Sequence, residues 1–320
     1  MWSQKVAMAD MSSRISSIQR LLPGFASTLH SFAVAPAKFC ILRTVNATTI
    51  QPRTLYILDS SFNPPSIAHL TLITSALKQH AYSELNPCRL LLLFSTHNAD
   101  KAPSPASFAQ RIALVSIFAE DVSHSLKTEV PKLNADVANV SIDVGLTKEP
   151  YYNDKSAAIA DTIPRIYPSN PSHIHLVGYD TLIRFCDPKY YPNHTPPLSA
   201  LKPFFEANHK LRVTLRPTDE DDASSTGFGT PEEQELYVKS LTQGQHVSTG
   251  FEAAWAQHIS TIRAEGVVGV SSTRVRKAAY EGRWDDVGKL CTEGVASWIQ
   301  DQNLYSEHAT GKKEKGEVGE

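Results

Sequence analysis

Cysteine is scarce in this chain: Cys40, Cys88, Cys186 and Cys291 are the 4 among 320 residues. They lie far apart and form no CxxC, so neither a zinc cluster nor a disulfide framework is expected, and a reducing intracellular compartment suits them best. An excess of charge of one sign is missing too. The 31 basic and 33 acidic residues leave a net charge of −2, which provides no global field for nucleic acid or an anionic membrane. No apolar run approaches the roughly 18 residues that a membrane span needs, and no internal repeat is found. What remains is 41% apolar and 20% charged, the make-up of an ordinary globular protein. The length allows a sizeable core in one large domain or two smaller ones.

Acid is nearly absent from residues 1–50. Asp10 stands against Lys5, Arg14, Arg20, Lys38 and Arg43, and serine is frequent, as in a mitochondrial transit peptide. Yet Ile15, Ile18, Leu22, Phe25, Leu29 and Phe32 recur at helical spacing, interrupted at Pro23-Gly24. Two readings follow: two amphipathic helices packed on the main domain, with the protein in the cytoplasm or nucleus, or a cleaved presequence and a mitochondrial location. Residues 51–305 form the main domain. Within it, residues 216–250 begin with the acidic, turn-rich "RPTDEDDASSTGFGTPEEQE" and read as a mobile surface insertion. Residues 306–320 read as a disordered tail.

The main domain alternates strand and helix. "TLYILD", "RLLLLFST", "NVSIDVGL", "HIHLVGYD", "LRVTLRP" and "GVVGV" read as strands. Helical patterns lie between them, and "YVKSL" and "FEAAWAQHISTI" also read as helix. Near-continuous apolar strands in repeated β-α units indicate a parallel sheet covered on both faces. The class is α/β, a doubly wound parallel sheet of five to six strands with an N-terminal helical extension. Ligands of such sheets sit at the carboxyl ends of the strands, where strand order switches.

Two segments at such ends carry the chemistry. In "SSFNPPSIAHL" a strand runs into Ser60, Ser61, Phe62 and Asn63, Ser66 can cap the helix, and His69 falls in its first turn. Free N–H groups at a helix start attract anions, so this is either an anion cradle with a donor in it or a capped helix with a packing histidine. Almost 200 residues later, "GVVGVSSTRVR" repeats the arrangement. Ser271, Ser272 and Thr273 supply hydroxyls, with Arg274 and Arg276 following, a set suited to a polyphosphate. His173 and His175 share one face of a strand without an evident third ligand, so no metal site is expected.

Together, "SFNPPSIAH" and "VSSTRVR" resemble the paired signatures of the nicotinamide mononucleotide adenylyltransferase family, nucleotidylyltransferases of the HxGH type with a Rossmann-like fold. "LVGYDTLIRF" resembles the family's GxD-x-L segment, and "HNADKAPSPASFAQRIAL" its lysine and arginine-leucine segment, with Lys101 and Arg111. The match covers roughly residues 52–305 in the expected order, and it is narrower still to fungal adenylyltransferase-like proteins. It implies that Ser61, Phe62, Asn63 and Ser66 line the ATP phosphates, and that His69 binds the phosphate undergoing substitution. Gly178 and Asp180 would hold the adenosine end. Ser271, Ser272, Thr273 and Arg276 would bind the outer phosphates, with Lys101 reaching them too. His69 and Arg276 would be catalytic, Mg²⁺ would arrive with ATP, and the partners would be ATP and a pyridine mononucleotide.

Glu149, Tyr151, Tyr152 and Lys155 fall where the family recognises its acceptor, although the usual Trp-Glu pair is absent. Three further positions depart from the signatures: Ser66 replaces His or Thr, Ala68 a glycine, and Ser60 the opening glycine. One poor donor costs about 10²–10³ in rate. The reading is therefore a nicotinamide-nucleotide adenylyltransferase making NAD. The alternatives are a sister enzyme with another acceptor, or a nucleotide-binding regulatory or scaffold protein.

Overall fold

The structure, a computed structural model, describes residues 2–80, 87–96, 106–129, 135–215, 227–263 and 270–306. The chain starts with helix α1 (Trp2–Val34) and strands β1 (Phe39–Val45) and β2 (Thr54–Asp59). Then come α2 (Ile67–His80), β3 (Cys88–Ser95), α3 (Phe108–Glu129), α4 (Ala135–Ala138) and β4 (Ser141–Thr147). Next are α5 (Tyr152–Ala160), β5 (Ser172–Gly178), α6 (Tyr179–Phe185), α7 (Lys202–Glu206) and β6 (Lys210–Leu215). The last elements are α8 (Pro231–Thr242), β7 (Ile259–Arg263), α9 (Ser272–Tyr280), α10 (Trp284–Leu290) and α11 (Glu293–Asp301).

The strands form one sheet in the order β1-β4-β3-β2-β5-β6-β7. All neighbours are parallel except β1 and β4. β2 and β4 are buried almost throughout, as strands covered on both faces must be. On one face, α1, α2, α3 and α9 to α11 enclose a core containing Ile73, Phe118, Val275 and Trp298. On the other, α5 to α8 pack around Leu182, Phe204 and Trp255. Chain order runs outward from β2 to β3 and β4, then crosses back to β5. The switch point is thus between β2 and β5, where the first motif leaves the sheet.

The sheet has seven strands rather than five or six. β1 lies in the extension read as helical and closes one edge antiparallel to β4. β7 lies in a stretch also read as helix. Three of its five residues are exposed, so this edge strand lacks the apolar run that marked the others. Of "GVVGV", residues 266–269 lie outside the described residues, and Val270 belongs to no strand.

Residues 2–34 form one helix with Pro23 inside it, not two. The lost N–H is tolerated because the stripe continues across it: Ile18, Phe25 and Phe32 are all buried, and packing outweighs local propensity. Arg14 fastens this helix to Glu120 (3.0 Å) and Asp121 (2.6 Å) of α3. Within the stretch 216–250, helix α8 takes in the "YVKSL" read as helical and begins earlier, inside the acidic part. Residues 216–226 lie outside the described residues, as do those of the tail from 307 on, but α8 is a capped helix. Thr230 and Glu233 form a capping box, and Leu241 is fully buried, because a reciprocal cap and an apolar anchor outweigh the acidic flank. Among the described residues no helix is long and apolar enough to cross a membrane.

Candidate active site

Asp59 ends β2, and the next seven residues turn the chain into α2. His69 lies in the first turn of α2 and is held from both sides. The Ser66 backbone N–H donates to its Nδ1 (3.1 Å), and the Ser66 hydroxyl lies 3.0 Å from the same nitrogen. A ring nitrogen that accepts a backbone N–H carries no hydrogen, so the network assigns the proton to Nε2. Nε2 stands 2.9 Å from the Ser60 hydroxyl, and the ring packs against Phe62 and Phe118.

Phe62 is fully buried and adopts φ +43°, a left-handed conformation that costs a bulky residue about 1–2 kcal/mol. Its neighbour is clamped to compensate: Arg111 donates from Nε and Nη2 to the Ser61 carbonyl (2.8 and 2.6 Å). The guanidinium lies over the rings of Phe94 and Phe108, and burial pulls it down to about 10, leaving it charged at neutral pH.

The second motif grips the same loop. The Ser271 hydroxyl caps α9 by accepting from the Arg274 N–H (3.3 Å). The Ser272 hydroxyl donates to the Pro64 carbonyl (2.8 Å) across 208 residues of sequence. Arg276 donates from Nη1 to the Asn63 carbonyl (2.7 Å) and from Nη2 to the Thr273 hydroxyl (3.1 Å). Cys291 reaches the Pro65 carbonyl (3.4 Å), and the Tyr305 hydroxyl donates to Asn63 Oδ1 (2.7 Å). The carbonyls of Ser61, Asn63, Pro64 and Pro65 are thus each held by a side chain from α3, α9 or the C-terminal elements. The loop is fixed by its acceptor edge, and two segments distant in sequence meet there.

Not every expected residue faces a ligand in the same way. Ser66 is 1% exposed and lies behind the imidazole, and Phe62 offers only backbone. Gly178 caps α6 at the end of β5, beside β2. A Cβ there would come within 2.7 Å of Asp180 Oδ1, so the glycine lets Asp180 fold back over the strand end. Asp180 also pairs with Arg184 one turn on. Lys101 lies outside the described residues.

The stretch expected to take the acceptor leaves β4 and crosses the carboxyl ends of β3 and β2. The Glu149 carbonyl accepts from the Ser95 hydroxyl at the end of β3 (3.2 Å), and its carboxylate pairs with Lys38 (2.9 Å). Tyr151 meets Tyr190 and Tyr191 ring to ring. Tyr152 instead packs inward against His175 and Phe185, and burial pushes its phenol well up. Lys155 forms a buried ion pair with Asp59, so its ammonium is already committed.

His173 stacks on His209 at 4.1 Å, and His175 bonds the Ser156 hydroxyl (2.8 Å). Burial holds both His173 and His175 well below the usual imidazole range, and no metal-ligating group of three exists among the described residues. Sequence reasoning passed over Asp59, Tyr190, Tyr191 and Tyr305. Only Asp59, a carboxylate next to the motif, gave a local signal.

No family model matches the chain. A Schizosaccharomyces pombe protein named "Putative nicotinamide mononucleotide adenylyltransferase" is 29% identical over 279 residues, 86% of this chain and 94% of that protein. The structure of Plasmodium falciparum nicotinic acid mononucleotide adenylyltransferase complexed with APC aligns over 79% of this chain and 97% of its own, at 12% identity and TM-score 0.43. Thermotoga maritima TmcAL bound with alpha-thio ATP aligns over 78% of this chain and 56% of its own, at 13% identity and TM-score 0.34. In its two motifs, in their meeting in space and along its sequence, this chain resembles the nicotinamide mononucleotide adenylyltransferase family of nucleotidylyltransferases.

Proposed function

We propose that the protein is an adenylyltransferase of NAD biosynthesis, which transfers the AMP moiety of ATP to nicotinamide mononucleotide and releases pyrophosphate. The observation that carries this reading is the joint grip of Ser272 and Arg276 on the carbonyls of Pro64 and Asn63. It sets the guanidinium beside the loop that ends at the imidazole, at the switch point of the sheet. A triphosphate lying there would meet fixed donors from both motifs.

The chemistry asks for alignment and positive donors rather than a covalent nucleophile. An oxygen of the acceptor phosphate attacks the α-phosphorus, the bond from that phosphorus to the bridging oxygen breaks, and pyrophosphate leaves. Charge accumulates on the leaving group, so donors fixed in advance supply the rate. His69 and the Ser60 hydroxyl bonded to it serve the phosphate undergoing substitution as one hydrogen-bonded unit. Arg276, Thr273 and the α9 N-terminus take the leaving phosphates, with Lys101 joining them. Ser61 and Asn63 contribute backbone, and Gly178 and Asp180 hold the adenosine end. On the acceptor side Glu149 and Tyr151 remain candidates, while Tyr152 and Lys155 support the wall from within.

Mg²⁺ would enter with the nucleotide. The nearest strand-end carboxylate, Asp59, is tied to Lys155, which fits an ion carried chiefly by phosphate oxygens and water. When bound, it neutralises charge on the leaving group.

The test is to incubate the purified chain with ATP, Mg²⁺ and nicotinamide mononucleotide and to follow NAD and pyrophosphate. Product that Arg276→Ala reduces at least 10²-fold supports the reading. ATP binding without product, for either the nicotinamide or the nicotinate mononucleotide, overturns it.

A further inference from the structure

The position of the signature's opening glycine is occupied here by Ser60, and its hydroxyl lies 2.9 Å from the histidine's Nε2. A hydroxyl oxygen has two lone pairs and one hydrogen. One lone pair of Ser60 Oγ takes the Phe62 backbone N–H at 3.3 Å. The other takes the hydrogen on His69 Nε2 at 2.9 Å. That direction follows from the tautomer the network assigns, because Nδ1 accepts the Ser66 N–H and leaves the ring's hydrogen on Nε2. With both lone pairs filled, the remaining function of the hydroxyl is to donate, and among the described residues nothing accepts its hydrogen. Serine at 60 and serine at 66 thus bracket the imidazole, one on each nitrogen. The two departures from the signature form one hydrogen-bonded chain.

We propose that Ser60 is a catalytic residue of this chain: its hydroxyl, polarised by His69 from behind, donates the hydrogen bond to the phosphate undergoing substitution. His69 is then a positioning residue that fixes and strengthens the Ser60 donor. A hydroxyl that accepts two hydrogen bonds donates more strongly, because bonds in a chain polarise one another. No proton changes hands. The Pα–O bond to the acceptor forms, the Pα–O bond to pyrophosphate breaks, and the hydrogen bond shortens as charge grows. This inference rests on the adenylyltransferase reading.

The experiment compares kcat and KM for ATP in wild type, Ser60→Ala, Ser60→Gly, Ser60→Thr, His69→Ala and Ser60→Ala/His69→Ala, with melting temperatures to confirm folding. In a serial arrangement Ser60→Ala and Ser60→Gly each lower kcat by about 10²-fold. The double variant falls little below the worse single, because the two groups act as one unit. Ser60→Thr, which keeps the hydroxyl, retains most of kcat. Two results would overturn the proposal: Ser60→Gly turning over at the wild-type rate while His69→Ala is inactive, or single losses that multiply in the double variant. Should wild type transfer AMP to neither mononucleotide, the adenylyltransferase reading fails. The Ser60 contact is then read in Mg-ATP affinity by calorimetry: weakening of about tenfold in Ser60→Ala keeps it, and unchanged affinity ends it.

Discussion

Lys155→Met would leave the Asp59 carboxylate buried and alone. The two side chains are 5% and 9% exposed, so each charge has been taken largely out of water. Their attraction offsets that loss only while both are present, and removing one partner of such a pair costs about 3–5 kcal/mol. Unfolding entropy near 2.1 cal/mol/K per residue corresponds to roughly 1.5 °C of Tm per kcal/mol in a chain of this size. Lys155→Met should therefore melt about 5–8 °C below wild type. Asp59→Asn should also melt lower, since it strands the ammonium. Asp59→Asn/Lys155→Met removes both charges and should recover most of the loss, because the penalty belongs to the unpaired ion. Thermal melts of the four proteins by circular dichroism at pH 7 give the cycle. A Lys155→Met melting within about 1 °C of wild type, or a double variant worse than both singles, would refute the reasoning.

Deleting residues 1–36 strips Ile18, Phe25 and Phe32 from the core, each worth about 1.5–3 kcal/mol; the truncated chain should lose cooperative unfolding in urea, and a wild-type transition would contradict the packing. Arg111→Lys cannot make the two-pronged bond to the Ser61 carbonyl and should cost about 1–3 kcal/mol in the same urea assay. Stability should also fall in mild acid. His173, His175 and His209 are buried, and burial brings His209 from 6.5 down to about 4. The unfolded chain protonates below about 6.5 and the folded one near 4. Stability is thus whole above the first value and declines as pH falls to the second, by ~3 kcal/mol for His209. His209→Phe should flatten that slope in urea titrations between pH 7 and 4.5.

The parts of the fold legible in the sequence are those whose side chains do one job. β2, β3 and β4 are buried on both faces, so "TLYILD", "RLLLLF" and "SIDVGL" read as apolar runs. β7 sits at an edge with Ser260, Thr261 and Arg263 exposed, and its pattern is no different from that of a helix or a loop. β1 mixes Ile41 and Leu42 with Arg43 and Thr44, because Arg43 serves Glu120 and Thr44 serves Asp143. The α1 stripe was readable, but Pro23 suggested a break that the packed face overrides.

At the site, His69 could be found because it follows the end of β2 and opens α2, and Arg276 because it lies near the start of α9 behind three hydroxyl residues. Their meeting depends on where α9 packs against the first loop, which local spacing does not encode. The same is true of the Asp59–Lys155 pair and of Tyr305, both made by register over long range. The roles of Ser60 and Ser66 were hidden for a different reason. As departures from a signature they looked like losses, and only their positions on the two nitrogens of one imidazole reveal a shared function.

Whether one triphosphate lies between the two motifs is decided by a crystal structure of the full chain with Mg²⁺ and a non-hydrolysable ATP analogue. Arg276 and Thr273 should stand on one side of the phosphates and Ser60 on the other, each within about 3 Å of a phosphate oxygen. An analogue bound elsewhere on the sheet, or at the switch point with its phosphates turned away from Arg276, would contradict that placement.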